Sequence, residues 1–240
     1  MWLSYGLLAL ILVAGVAYSI SARKLTVIAA LTGAAVAILV FAGAGFTGLA
    51  MMTTFFILGS AATSVQSKTK KDLNADQKGG RTAGQVLANA GTAALCGILI
   101  LVFPAQTQVL QLMIAAIFAS ATADTLSSEL GTVYGKRFFN IITLKPDLRG
   151  LDGVISLEGT LIGVIGSVII AVVYAIGMDW TTNLIWIIVA GTLGNLTDSV
   201  LGAVLERKNL INNDTVNFLN TLIAALFMLL LYFVYNLICK

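Results

Sequence analysis

The feature that most constrains this chain is a succession of long apolar runs broken only by short charged connections. A membrane-spanning helix needs about 20 consecutive apolar residues, and such runs stand at roughly 2–20, 25–43, 47–65, 82–103, 106–124, 153–177, 182–205 and 215–238. They use up most of the 240 residues, leaving connections at about 66–81 and 125–152 and nothing that could form a separate soluble domain. The expected fold is all-α: a single integral membrane domain over 1–240, a polytopic transmembrane bundle of about eight helices. Between Lys24 and residue 65 no charge interrupts the run, and only Gly43, Gly45 and Gly48 mark a turn, so seven helices is the other possible count. Charged residues make up 10% of the chain, against roughly 25% in soluble domains, which agrees with a bilayer as solvent.

Several chemistries are excluded at once. The chain contains no His, so imidazole takes no part in any triad, metal site or base. Cys96 and Cys239 lie in separate apolar runs with no CxxC partner, which leaves neither a zinc cluster nor a redox pair. A net charge of +3 is too small for a nucleic-acid binder. Arg23 and Lys24 follow the first apolar run rather than precede it, the pattern of a retained anchor rather than a cleaved signal.

Basic residues fix the expected orientation. Thirteen of the 14 Lys and Arg fall in alternate connections, and only Lys240 lies on the other side. The positive-inside rule makes those connections cytoplasmic. Ten of the 11 acidic residues sit near the same ends, Asp179 being the exception, although carboxylates contribute little to orientation. Something on that face uses carboxylates.

Polar side chains within the spans converge on the same depth. Thr82, Gln85, Asn89, Thr92 and Cys96 are spaced 3, 4, 3 and 4, one face of a helix. Ser60 and Ser64 close the third run; Thr122 and Asp124 close the fifth, followed by Ser127, Ser128 and Glu129; Asn195, Asp198 and Glu206 lie in the seventh; Asn213, Asn217, Asn220 and Thr221 open the eighth. A short echo, Ala123-Asp124-Thr125-Leu126 against Thr197-Asp198-Ser199-Val200, puts an Asp at matching places in two helices of the same direction. Ser and Thr in such positions serve as polar glue between helices, whereas ionisable groups in a bilayer are expensive and mark function.

The 66–81 connection, QSKTKKDLNADQKGGR, ends in Gly79-Gly80 before a helix start. It reads either as an anion cradle or as a basic segment held by anionic headgroups. The Gly131…Gly135-Lys136 segment is not a Walker A loop: three residues separate its glycines, and Arg137 stands where Ser or Thr is required. Carboxylates able to hold Mg²⁺ beside Lys and Arg able to hold phosphates are the equipment of phosphoryl transfer. A lipid-soluble substrate would reach such a layer sideways from the bilayer.

Taken together, GGRTAGQVLANAG (79–91), ATADTLSSELG (121–131), GVISLEGTLIG (153–163), GNLTDSVLGAVLE (194–206) and NDTVNFLNT (213–221) resemble the phytyl-phosphate kinase family of integral membrane proteins. The succession Asp124, Gly131, Gly135-Lys136, Lys145, Ser156-x-Glu158-Gly159 is similar, more distantly, to CTP-using dolichol and phytol kinases and CDP-diacylglycerol synthases. Where the family pattern has a double glycine before the serine, this chain has Val154-Ile155.

The resemblance implies a kinase converting a prenyl monophosphate to the diphosphate with CTP or another nucleoside triphosphate and Mg²⁺, on the cytoplasmic face of a prokaryotic plasma membrane. In that assignment Asp124 and Asp198 hold the metal, with Asn89 and Glu129 completing the catalytic set. Lys78, Arg81, Gln85, Ser64 and Asn217 take the substrate phosphate; Lys136, Arg137, Lys145, Ser156 and Glu158 take the nucleotide. The alternatives are a secondary transporter of an anionic or phosphorylated solute and a membrane cytidylyltransferase.

Overall fold

The computed structural model describes residues 2–70 and 80–238. Its seven continuous helices are α1 (Trp2–Ser21), α2 (Val27–Lys70), α3 (Ala83–Val102), α4 (Thr107–Tyr134), α5 (Leu157–Gly177), α6 (Asn183–Val204) and α7 (Asn213–Ile238), and all seven are long and apolar enough to span a membrane. Cys239 and Lys240, like Lys78 and Gly79, lie outside the described residues.

The 44-residue α2 would be about 66 Å long if straight, twice the hydrocarbon thickness. It is bent at Gly45, whose φ of 59° and ψ of −152° only glycine adopts without strain. The two arms fold back on each other: Lys24 Nζ, just before the first arm, donates to Ser64 Oγ near the end of the second at 2.7 Å. Phe41 and Phe46 meet edge to face across the bend at 4.9 Å. The described residues therefore form eight helical arms within seven helices, which reconciles the two counts expected above.

α4 is the central element, packing against α2, α3, α5, α6 and α7. Its stretch Ile114–Ser120 has no exposed surface, the signature of a helix apolar on every side and enclosed by others. Lipid tails are as apolar as these side chains, so close approach through small residues holds such helices together. A Cβ on Gly191 would come within 2.6 Å of Ala119 Cβ, and one on Gly131 within 2.8 Å of Gly159 Cα. Gly159 and Gly163 therefore serve packing within the chain, α5 against α4. Polar glue is present as well: Thr92 and Thr221 share a buried hydrogen bond between α3 and α7, and Ser167 Oγ donates to Ala119 O.

Two boundaries differ from the sequence expectation. α4 continues to Tyr134, ten residues past Asp124, because the polar stretch after it packs against α5 instead of leaving the bundle. α5 starts at Leu157, not 153: Ser156 caps it, its Oγ accepting from Gly159 N–H, and Val154–Ile155 form β2 paired antiparallel with β1 (Phe139–Asn140). This two-stranded ribbon is fastened to the turn after α6 by Asp147 and Arg207, 2.6 Å apart. The connections after α1, before α3, between α4 and α5, and after α6 all gather at one end of the bundle, here the basic end.

Candidate functional site

Between these connections and the helix ends lies a cavity of about 330 Å³ with walls from α3, α4, α6, α7 and the ribbon. Asp124 of α4 and Asp198 of α6 both line it, close enough for their carboxyl groups to interact. Asp198 is held from behind by fully buried Asn220, whose Nδ2 donates to Asp198 Oδ1 at 2.7 Å while its Oδ1 accepts from Ser120 Oγ at 3.1 Å. Ser127, one turn beyond Asp124, donates to Asn195 Oδ1 at 2.9 Å and so joins α4 to α6 beside the pair.

The opposite wall is Arg81. Its backbone is clamped by the 24–26 segment: its N–H donates to Lys24 O and its carbonyl accepts from Thr26 N–H. Its guanidinium lies near the Phe55 ring, 5.9 Å from the centroid, and donates to Thr63 Oγ1, which in turn donates to Glu129 Oε1 at 3.1 Å. Burial makes this guanidinium easier to deprotonate, and Glu129 and Asp124 act against that. Gln85 and Asn89 stand beside it on α3. Asn89 Nδ2 donates to Gln85 O, and its buried Oδ1 has no hydrogen-bond partner among the described residues.

At the start of α3, Thr82 and Gln85 make a reciprocal capping box that engages the amides of these two residues, and Gly80 serves a close passage against Leu25, where a Cβ would lie 2.7 Å from its carbonyl carbon. Residues 71–79, the greater part of the expected anion cradle, lie outside the described residues.

Of the residues expected from sequence, Asp124, Asp198, Asn89, Glu129, Arg81, Gln85, Asn217 and Ser156 line the cavity. Ser64 does not; its hydroxyl is taken by Lys24 and by Ser60 O. Lys136, Arg137 and Lys145 are exposed on the α4–α5 connection outside the lining, and Glu158 accepts from Lys136 N–H at its edge. Lys78 lies outside the described residues. Asn195, Asp152 and Glu206 belong to the lining without having been assigned a role from sequence. Their only signal was membership of the polar layer.

Charge decides what this cavity can hold. Five carboxylates line it, Asp124, Glu129, Asp152, Asp198 and Glu206, against one cation, Arg81, among the described residues. A bare phosphate would be repelled; a phosphate carrying a divalent cation would not. Among the described residues no group of three or more Asp, Glu or Cys is arranged to enclose a metal ion. A pair of carboxylates is nevertheless what Mg²⁺ uses when substrate phosphates and water supply its remaining oxygens, so Asp124 and Asp198 fit that ion.

A second cavity, about 230 Å³ and almost wholly apolar, opens beside the first between α1, both arms of α2, and α3. Arg81, Gln85 and Asn89 belong to both.

No solved structure matches the chain. An uncharacterized membrane protein of Synechocystis sp. is 35% identical over 193 residues, covering 78% of this chain and 75% of the relative. One from Methanocaldococcus jannaschii is 35% identical over 193 residues, covering 78% and 77%. Protein VTE6, chloroplastic, of Arabidopsis thaliana is 30% identical over 196 residues; the match takes in 78% of this chain and 59% of that longer protein. The family model described as integral membrane protein DUF92 matches residues 9–225, a span containing all five motif segments and the whole acidic cavity. On that match and these relatives, the chain belongs to the integral membrane protein DUF92 family.

Proposed function

We propose that this protein is a membrane kinase that adds a phosphate to a prenyl monophosphate, using CTP or another nucleoside triphosphate, at the basic, cytoplasmic end of the bundle. The observation that carries the reading is the Asp124–Asp198 pair in an acidic cavity whose far wall, Arg81, also borders an apolar groove. The family resemblance read from the five motifs supports the substrate class.

The reaction joins an oxygen of the prenyl phosphate to the γ-phosphorus of the nucleotide; the bond from that phosphorus to the β-phosphate oxygen breaks, and the diphosphate nucleotide leaves with the electron pair. A phosphate monoester oxygen is already anionic at neutral pH, so a chain without His lacks nothing the step requires. Mg²⁺, when bound, neutralises charge on the nucleotide phosphates. Asp124 and Asp198 would hold it, and Asn220 positions the Asp198 carboxylate. Arg81 grips the substrate phosphate through its planar fork, and Gln85 and Asn89 beside it orient that phosphate. Lys136, Arg137 and Lys145, exposed on the connection bearing the ribbon, take the outer nucleotide phosphates.

The test is purified protein with CTP, Mg²⁺ and a panel of prenyl monophosphates. Prenyl diphosphate with CDP is the expected product. A CDP-lipid with pyrophosphate would make the protein a cytidylyltransferase, and no product from any donor would return the transporter reading. A site at one end of the helices, not at the midplane among broken helices, argues against transport.

A further inference from the structure

The apolar groove has features that helix packing does not explain. Gly15 on α1 and Gly33 on the first arm of α2 both line it, and a Cβ at either would meet no atom within 4 Å. Many of the other helix glycines sit where helices touch: at Gly43 a Cβ would come within 2.7 Å of Gly97 Cα. A glycine inside a helix costs about 1 kcal/mol relative to alanine. At Gly15 and Gly33 no close contact offsets that cost; what they preserve is open space in a groove.

The groove is also directional. At one end are Arg81, Gln85 and Asn89, shared with the acidic cavity. From Leu25, beside Arg81, to Ala37 the wall rises 12 residues of chain, about 18 Å at helical pitch. At that end Ala37 and Leu49 line the groove and pack with Leu8 in a buried cluster backed by Phe41. A cationic head end, an apolar channel and a buried apolar cluster at the far end match an amphiphile with one phosphate and one hydrocarbon chain.

We propose that this groove seats the isoprenoid chain of the substrate, phosphate toward Arg81, and that the Leu8–Ala37–Leu49 plug sets the longest chain accepted. The assignment rests on the prenyl-phosphate kinase reading, and its test separates the two. Turnover is measured with geranyl, farnesyl and geranylgeranyl monophosphates for the wild type, Gly33→Phe and Leu49→Ala. Filling the groove by Gly33→Phe lowers kcat/KM for geranylgeranyl monophosphate by at least about tenfold while the geranyl substrate is nearly unaffected. Opening the plug by Leu49→Ala shifts preference toward longer chains.

If Gly33→Phe is not recovered as a monodisperse protein, Gly15→Phe fills the same space from α1. Equal losses on all chain lengths, or none, would overturn the assignment. Should the wild type turn over no prenyl phosphate, the kinase reading fails, and the groove is judged by photolabelling instead. A geranylgeranyl monophosphate with a diazirine at its far end should mark residues 30–37 and 49–56; marking confined to α5–α7 would refute the groove.

Discussion

Asp198 shows how a single buried amide governs a charge. Asn220 has no exposed surface, spends its oxygen on Ser120, and directs its one described donor bond at the carboxylate. In the proposed kinase Asp198 is a metal ligand, and residues that hold such a ligand typically matter 10–100-fold, so Asn220→Ala should lower turnover by roughly that factor and raise the Mg²⁺ concentration needed, both read from steady-state kinetics. Asp124→Asn and Asp198→Asn should each abolish transfer while leaving extraction and helix content unchanged, since a neutral amide cannot replace the carboxylate's charge at Mg²⁺. Arg81→Lys keeps the charge but loses the fork, and activity should fall by roughly one to two orders of magnitude; exposed Lys68→Gln should be nearly silent. If both have the same small effect, Arg81 acts by general attraction and not by grip. Asp124, Asp198, Gln85 and Asn89 were legible in sequence because polar residues in apolar runs stand out at helical spacing. Asn220 was visible in the same layer but not its role, since which polar residue supports another depends on how α4, α6 and α7 are rotated.

Among the elements, α2 carries the strongest single constraint. Gly45 has open space where a Cβ would go, so only its positive φ resists substitution. Gly45→Ala should cost about 1–2 kcal/mol, visible as a lower thermal midpoint of the detergent-solubilised protein; an unchanged midpoint would mean the bend is made by its neighbours. The direction of α2 was hidden because 25–65 offers neither charge nor proline to mark a reversal. The ribbon was hidden for a different reason: strands of two residues each are too short to show alternation. Its clasp is pH-dependent. Arg207 holds the Asp147 carboxyl down at about 2, below the ordinary value of about 3.9. The stabilisation is therefore complete above that ordinary value and lost as pH falls through about 2. Cleavage of 139–155 by an acid-active protease should stay slow at pH 5 and accelerate only toward the bottom of that window, and Asp147→Ala should be cleaved quickly at both; equal rates for both proteins would remove the clasp.

At the scale of the molecule, the eight helical arms place two unlike spaces side by side at the basic end: an acidic cavity lined by helix ends and connections and an apolar groove lined by α1, α2 and α3. A reaction between a water-soluble phosphate donor and a lipid-borne acceptor needs that juxtaposition. The class of fold and the one-sided polar layer were legible because charge and hydropathy divide along the chain. The groove was not, because Gly15 and Gly33 look in sequence like any glycine of a membrane helix, and only the folded α2 hairpin reveals the space beside them. Cysteines placed in 132–150 should react with a membrane-impermeant reagent only from the cytoplasmic side; reaction from outside would invert the bundle. The most direct measurement uses the protein in sealed vesicles containing a prenyl monophosphate, with γ-labelled CTP and Mg²⁺ supplied to one side at a time. Label should enter the prenyl diphosphate only where the basic end meets the nucleotide, and not at all with Asp124→Asn; no labelled diphosphate from either side would contradict the kinase assignment.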